Sequence, residues 1–261
     1  MPANGSFQIP LSVIAGFLLV LARVGGAIAF VPLPGFRTAP MVPKVVLAVA
    51  LTIALLPHWL SKPSQYVTTL EQTIWWLPAE AALGITIGVF AGWLIEALVM
   101  AMQFLSLQAG YSYAAMVDPA TQADSGVLPV FGQLFASLLF FCVGFDRELL
   151  RIFGATLDLF PPGAWRLSPA IGAELIRFSG QMISLGVRIA LPLIGLLVLI
   201  DLSLALLGRV QSQLQLLSLA FPVKMLVSMA VMAILAGTFG PLFQSAAADL
   251  SRILWGIVRQ G

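Results

Sequence analysis

Ionisable side chains set inside apolar runs are where this chain has chemistry to offer. Arg23 stands in one such run, Glu80 and Glu96 in another, and Arg188 and Asp201 in a third. A charged group in hydrocarbon is costly and faces protein or water. Glu96, Arg188 and Asp201 at such positions suit either an intramembrane relay for a proton or small ion, or anchors between packed helices. Arg23 is long enough to carry its charge out to the membrane surface. Asp201, with one methylene, needs a partner or water, and Arg209, eight residues on, is the candidate. Covalent and metal chemistry have little to build on. The one histidine, His58, and the one cysteine, Cys142, have no partner near them in sequence. There is no HExxH zinc pair, P-loop or GxSxG elbow. No catalytic residue, cofactor or metal ligand is expected, and His58, between Pro57 and Trp59, reads as an interfacial residue.

The elements that hold these charges are apolar. The chain of 261 residues is 60% hydrophobic and 9% charged, with a mean hydropathy of +1.01. Soluble domains carry roughly 25% charged residues, so lipid or partner subunits must cover this surface. A formal charge of +2 gives no case for nucleic acid, and a single cysteine excludes a disulfide within the chain. Apolar runs fall at 9–31, 42–56, 74–107, 127–145, 179–207 and 225–245. A spanning helix needs roughly 20 apolar residues, and the second run is shorter while the third is longer. Such uneven lengths suit helices packed in protein. With no basic residue before Arg23, the first run is expected to be retained, not cleaved as a signal peptide. The stretch 146–178, rich in charge, reads as an aqueous or interfacial connector. Pro78 and Pro192 predict kinks or breaks. Trp59, Trp75, Trp76, Trp165 and Trp255, near run ends, read as an aromatic belt.

Within the third run Glu80, Gly84, Gly88, Gly92 and Glu96 recur every four residues. Such a row lies on one helix face, and without side chains two backbones approach closely. Gly84, Gly88, Gly92 and Glu96 are therefore expected to pack against a neighbouring helix, and the expectation extends to packing between subunits.

Four stretches then occur in order. They are "RVGGAIAFVPLPGFRTAPMVPKVVLAVALT" at 23–52, Glu96 followed by "QAGYSYAAMVDP" up to Pro119, "FDRELL" at 145–150, and "DLSLALLGRVQSQ" with "FPVK" between Asp201 and Lys224. Together they resemble the FliR family of flagellar export-gate proteins, whose virulence type III secretion counterparts look similar. Ser212 and Ala220 depart from the family pattern, which commonly has Pro and Gly there. The resemblance implies an all-α membrane protein of bent helical hairpins, acting as one subunit of a helical export-gate assembly. It implies a role without a reaction: a core subunit of the gate through which unfolded flagellar substrates leave the cytoplasm, in the bacterial inner membrane at the flagellar basal body. FliP-like and FliQ-like membrane subunits and an FlhB-like component are the implied partners. The chain is one export-gate domain, with 1–178 resembling the larger partner FliP and 179–261 the smaller partner FliQ. Arg23, Lys44, Asp201, Arg209 and Lys224 are the charges carried by the family-like motifs.

The resemblance also implies a use for "GYSYAAMVDPATQADSG" at 110–126, as a plug lying across the channel. A segment that parts for a passing polypeptide should be small, free of charge at its tip and permissive in conformation. Gly110, Tyr111, Tyr113, Met116, Asp118 and Pro119 are the candidates, the tyrosines and Met116 as bulk and the Asp-Pro as a bend. A plain connector between helices is typically 2–8 residues, shorter than this stretch. Two alternatives remain open: a virulence-type (injectisome) export-gate subunit, and a small-solute or ion transporter.

Overall fold

The computed structural model describes residues 10–31, 40–60, 70–111, 126–166, 169–210 and 216–260. Among the described residues every regular element is an α-helix. In chain order they are α1 (Leu11–Phe30), α2 (Met41–Ala54), α3 (Leu56–Leu60), α4 (Leu70–Ala109), α5 (Val127–Cys142), α6 (Phe145–Leu159), α7 (Pro169–Val210) and α8 (Leu216–Gln260). Four stretches are long and apolar enough to cross a membrane: Leu11–Phe30, Thr73–Ala109, Ile171–Arg209 and Ala220–Arg259. The pair α5 and α6 makes up to a fifth, broken at Val143 and Gly144. The last three stretches of the four run to 37, 39 and 40 residues. At 1.5 Å per residue they are roughly 55–60 Å long, about twice the hydrocarbon thickness.

The helices exceed the apolar runs, for a physical reason. α7 starts well before 179 and α8 extends well beyond 245, because Glu174, Arg177, Asp249 and Arg252 are good helix formers or tolerable surface residues once a helix is under way. The expected connector at 146–178 is corrected as well. Most of its first half is α6, whose buried Phe145, Leu149, Ile152 and Thr156 recur at spacings of three and four. Averaged hydropathy misses such a helix because its other face carries Asp146, Arg147, Glu148 and Arg151. Gly144 starts it at φ 74°, a left-handed conformation open to glycine at little cost.

The breaks expected at Pro78 and Pro192 do not occur, since α4 and α7 run through both. One proline removes one backbone hydrogen bond, and where water is scarce the remaining bonds keep the helix intact. The aromatic belt is corrected too. Trp59 and Trp165 are buried, at 2% and 1% exposure, while Trp75 is exposed. Proximity to the end of an apolar run does not separate an interfacial indole from one that folds back into protein.

The chain forms two compact units that interleave along the sequence. Unit one comprises Met1–Gly92, Gly144–Leu175 and Asp249–Gly261, and unit two Trp93–Val143 and Ile176–Ala248. The core of unit one takes Leu19, Val20 and Val24 from α1, Ile87 and Phe90 from α4, and Ile152 and Leu157 from α6. That of unit two takes Leu94, Met102 and Leu105 from α4, Phe140 from α5, and Phe178 and Leu197 from α7. Many large apolar side chains nevertheless stay uncovered in the single chain. Met41, Val42 and Val46 of α2, Leu199, Leu202 and Leu206 of α7, and Leu226 and Ile234 of α8 are all more than half exposed.

Candidate functional site

Unit one is built around a buried charge. Arg23 of α1 is fully enclosed, and its Nε donates to Glu80 Oε2 of α4 at 2.6 Å. Its other nitrogens donate to Thr156 Oγ1 at 3.3 Å and to the Phe160 carbonyl at 3.2 Å. The second Glu80 oxygen accepts the Gly163 N–H at 2.9 Å. Gly163 offers that N–H from a turn at φ 87°. Every guanidinium nitrogen and both carboxylate oxygens thus have partners, the condition under which a buried ion pair is tolerable. Arg23 does not extend to the membrane surface: three helices and a turn close over it. Glu80 stood out in sequence as an acid in an apolar run and as the start of the glycine row, and Thr156 and Gly163 gave no signal at all.

The glycine row packs within the chain. A Cβ on Gly84 would overlap the Arg23 carbonyl, and one on Gly88 would stand 2.5 Å from the Ala27 carbonyl oxygen. Gly92 lies farther from α1, its Cβ position 3.1 Å from the Phe30 oxygen. From the opposite side a Cβ on Gly26 would come within 2.6 Å of the Ala81 oxygen. The helix that Gly84, Gly88 and Gly92 meet is therefore α1 of the same chain, which moves the expected subunit packing at these positions inward. Sequence reasoning missed Gly26, although "VGG" in the first run carries a small-residue signal. Glu96, four residues beyond the row, belongs to unit two.

In unit two the motif charges gather at the root of the segment after Gly110. Lys224 of α8 pairs with Asp201 of α7. Lys224 Nζ also donates to the Gln108 carbonyl at 3.4 Å, and Gln108 Nε2 to Asp201 Oδ2 at 3.1 Å. Asp201 was expected to find Arg209, but two turns of helix separate them by roughly 12 Å along the axis, whereas helix neighbours meet at three or four residues. Arg209 is exposed and Lys44 half-buried. Gly110 has φ 83°, and a Cβ there would lie 2.8 Å from Phe221 Cε1, so the position excludes a side chain on two counts. The hydroxyl of Tyr111 donates to the Met225 carbonyl at 3.2 Å. Gln108, Gly110 and Tyr111 are thus fastened to the start of α8. Beside them Tyr111, Val127, Phe131, Phe135, Met229 and Phe239 line an apolar cavity of about 300 Å³. Tyr113, Met116, Asp118 and Pro119 lie outside the described residues.

The "FDRELL" stretch has a use the sequence did not disclose. Oε1 of Glu148 accepts Trp255 Nε1–H at 2.8 Å and the Ser251 hydroxyl at 3.0 Å, clasping the last turns of α8. His58 Nδ1 meets Asp158 at 3.2 Å with both side chains nearly half exposed, and Arg188 and Cys142 are exposed. Among the described residues no group of three or more His, Cys, Asp or Glu side chains stands where a metal ion could be held.

A family model described as bacterial export proteins, family 1, matches residues 14–250. The flagellar biosynthetic protein FliR of Escherichia coli (strain K12) is 29% identical over 241 residues, covering 92% of this chain and 91% of that protein. FliR of Bacillus subtilis (strain 168) is 27% identical, with 81% and 82% covered. The surface presentation of antigens protein SpaR of Salmonella typhimurium (strain LT2) is 21% identical, with 84% and 82% covered.

Proposed function

We propose a function from one premise, that the chain belongs to the bacterial export proteins, family 1. It is a FliR-like component of the type III protein export apparatus, acting in flagellar biosynthesis. The observation that carries this is the likeness to flagellar FliR along 92% of the chain, which takes in both units. Export is performed by an assembly, and the uncovered apolar faces of α2, α7 and α8 are what a subunit brings to one. In this reading FliP-like and FliQ-like membrane subunits cover those faces, 1–178 standing in for the larger and 179–261 for the smaller, with an FlhB-like component alongside. The complex sits in the bacterial inner membrane at the flagellar basal body. The segment 110–126 plugs the channel, and Gln108, Gly110 and Tyr111 are its fixed root on α8.

The paired charges weigh against a solute transporter. Arg23 is locked to Glu80 in unit one, and Asp201 to Lys224 in unit two, so neither is poised for a passing ion. The similarity to SpaR favours one second reading, an injectisome subunit built on the same plan. Deleting the gene and restoring it on a plasmid separates the two. Loss and recovery of swimming, with flagellar substrates absent from and then returned to the medium, is the expected outcome. A deletion strain that swims as wild type overturns the flagellar assignment. Failure of the tagged chain to co-purify with any other membrane subunit overturns the export-gate reading itself.

A further inference from the structure

With one exception, the charges inside the long apolar stretches are paired or stand at an end. Among the described residues Arg23 meets Glu80, Asp201 meets Lys224 and Asp249 meets Arg252. Glu96, Glu174 and Arg177 have partners as well. Arg209 and Arg259 are the last residues of their stretches. The exception is Arg188 of α7. It stands inside the stretch Ile171–Arg209, exposed, with no hydrogen bond or ion pair among the described residues.

Arg188 belongs to a longer row. Gln181, Ser184, Arg188, Leu191, Gly195 and Val198 follow one another at steps of three and four, and all six are exposed. That spacing lines them up along α7 as a seam of the kind by which one helix seats against another. A Cβ at Gly195 would meet nothing within 4 Å, so no contact inside the chain calls for glycine there. The missing side chain leaves a notch at which a second backbone can come close.

The make-up of this face selects what covers it. Ile176, Ile183 and Leu191 are each more than half exposed, which suits water poorly. Gln181, Ser184 and Arg188 stand among them, which suits acyl chains poorly, since these offer no hydrogen-bond partner. A protein surface supplies both needs, apolar side chains against the isoleucines and Leu191, and acceptors along the polar half of the seam. The charge of that surface follows from Arg188, because the forked donors of a guanidinium are complemented by a carboxylate. We propose that α7 receives along this seam a helix of a neighbouring subunit of the export assembly, which presents an Asp or Glu to Arg188. This rests on the reading of the chain as an assembly subunit and specifies the chemistry of one of its contacts.

The test uses the full-length chain in membranes of its own bacterium, with a photo-crosslinking amino acid at Leu191, one turn from Arg188. Irradiation should join the chain to another membrane protein, at a helix with an Asp or Glu near the point of attachment. Arg188→Gln should lower that adduct on the order of tenfold, while Arg188→Lys keeps most of it, since only the first removes the charge. Arg188→Glu should abolish the adduct, and a lysine in place of the crosslinked acid should then restore both adduct and complex. The same rescue decides the matter should Arg188→Gln fail to accumulate. Adducts to lipid alone, an adduct within the chain, or no adduct at all overturn the proposal. So do an adduct indifferent to Arg188→Gln and a charge swap without rescue. Native gels keep the two readings apart. A wild-type complex that forms while the seam fails these tests sinks this inference alone, whereas a wild-type chain that joins no complex sinks the functional reading.

Discussion

Removing the Glu80 carboxylate would leave the Arg23 guanidinium enclosed with its counter-charge gone, and would also orphan the Gly163 N–H. Breaking a buried pair from one side costs about 3–5 kcal/mol. Glu80→Ala is therefore expected to abolish most folded chain, read as loss of protease-resistant protein in detergent. Replacing both partners, Arg23→Met with Glu80→Leu, should be milder, because no stranded charge remains. A double variant as damaged as the single one would show that the pair is valued for its hydrogen bonds to α6 and the turn, and not for avoiding a bare charge. Asp201 differs in degree: its side chain is 41% exposed, although Lys224 is largely covered. Asp201→Ala should cost only about 1 kcal/mol of stability, yet it frees Lys224 and one anchor of Gln108. Reduced swimming at nearly normal protein levels is the expected pattern, and full motility would reduce the pair to a hydrated helix end.

At the scale of elements, the crossing of α1 and α4 is set by backbone meeting backbone. Gly84→Leu or Gly88→Leu should force these helices apart and cost several kcal/mol, of order 3, by overpacking. The expected readout is loss of the folded chain itself, before any question of assembly arises. Gly25, next to the contact, is a fair control, since a Cβ there meets nothing within 4 Å. Gly25→Ala should be neutral or stabilise by about 0.5–1 kcal/mol through helix propensity. Equal damage from Gly25→Ala and Gly88→Leu would refute the close-approach explanation.

For the molecule as a whole, uncovered rows on α2, α7 and α8 predict that the chain made alone aggregates in detergent, and that co-expression with its partner subunits yields a monodisperse complex on size-exclusion chromatography. Deleting 111–122 separates a plug from a connector. The flanking helices carry the packing, so assembly should persist while the membrane becomes permeable to small ions. Salt-sensitive growth or raised conductance, after native gels confirm the complex, is the expected result. An assembled deletion that does not leak returns the segment to the status of a loop.

The sequence by itself determined that the chain is a helical membrane protein of the export family and that catalysis has no evident residues. Those conclusions rest on composition, on one-dimensional periodicity and on motif order, all of which survive without coordinates. It also drew attention to Arg23, Glu96 and Asp201, because an ionisable group in an apolar run is conspicuous, and to Lys224 through its motif. Their partners were not legible. Glu80 lies 57 residues from Arg23 and Thr156 lies 133 away, and no local pattern encodes a meeting at such separations. The same limit hid α6, whose apolar stripe is averaged out by its charged face, and assigned the glycine row to another subunit where Gly84 and Gly88 meet α1. Only the tertiary structure decided that Gly84 and Gly88 meet α1, that Asp201 meets Lys224 and not Arg209, and that Glu148 clasps the end of α8. A helix face states that it must be covered, and the fold alone states by what.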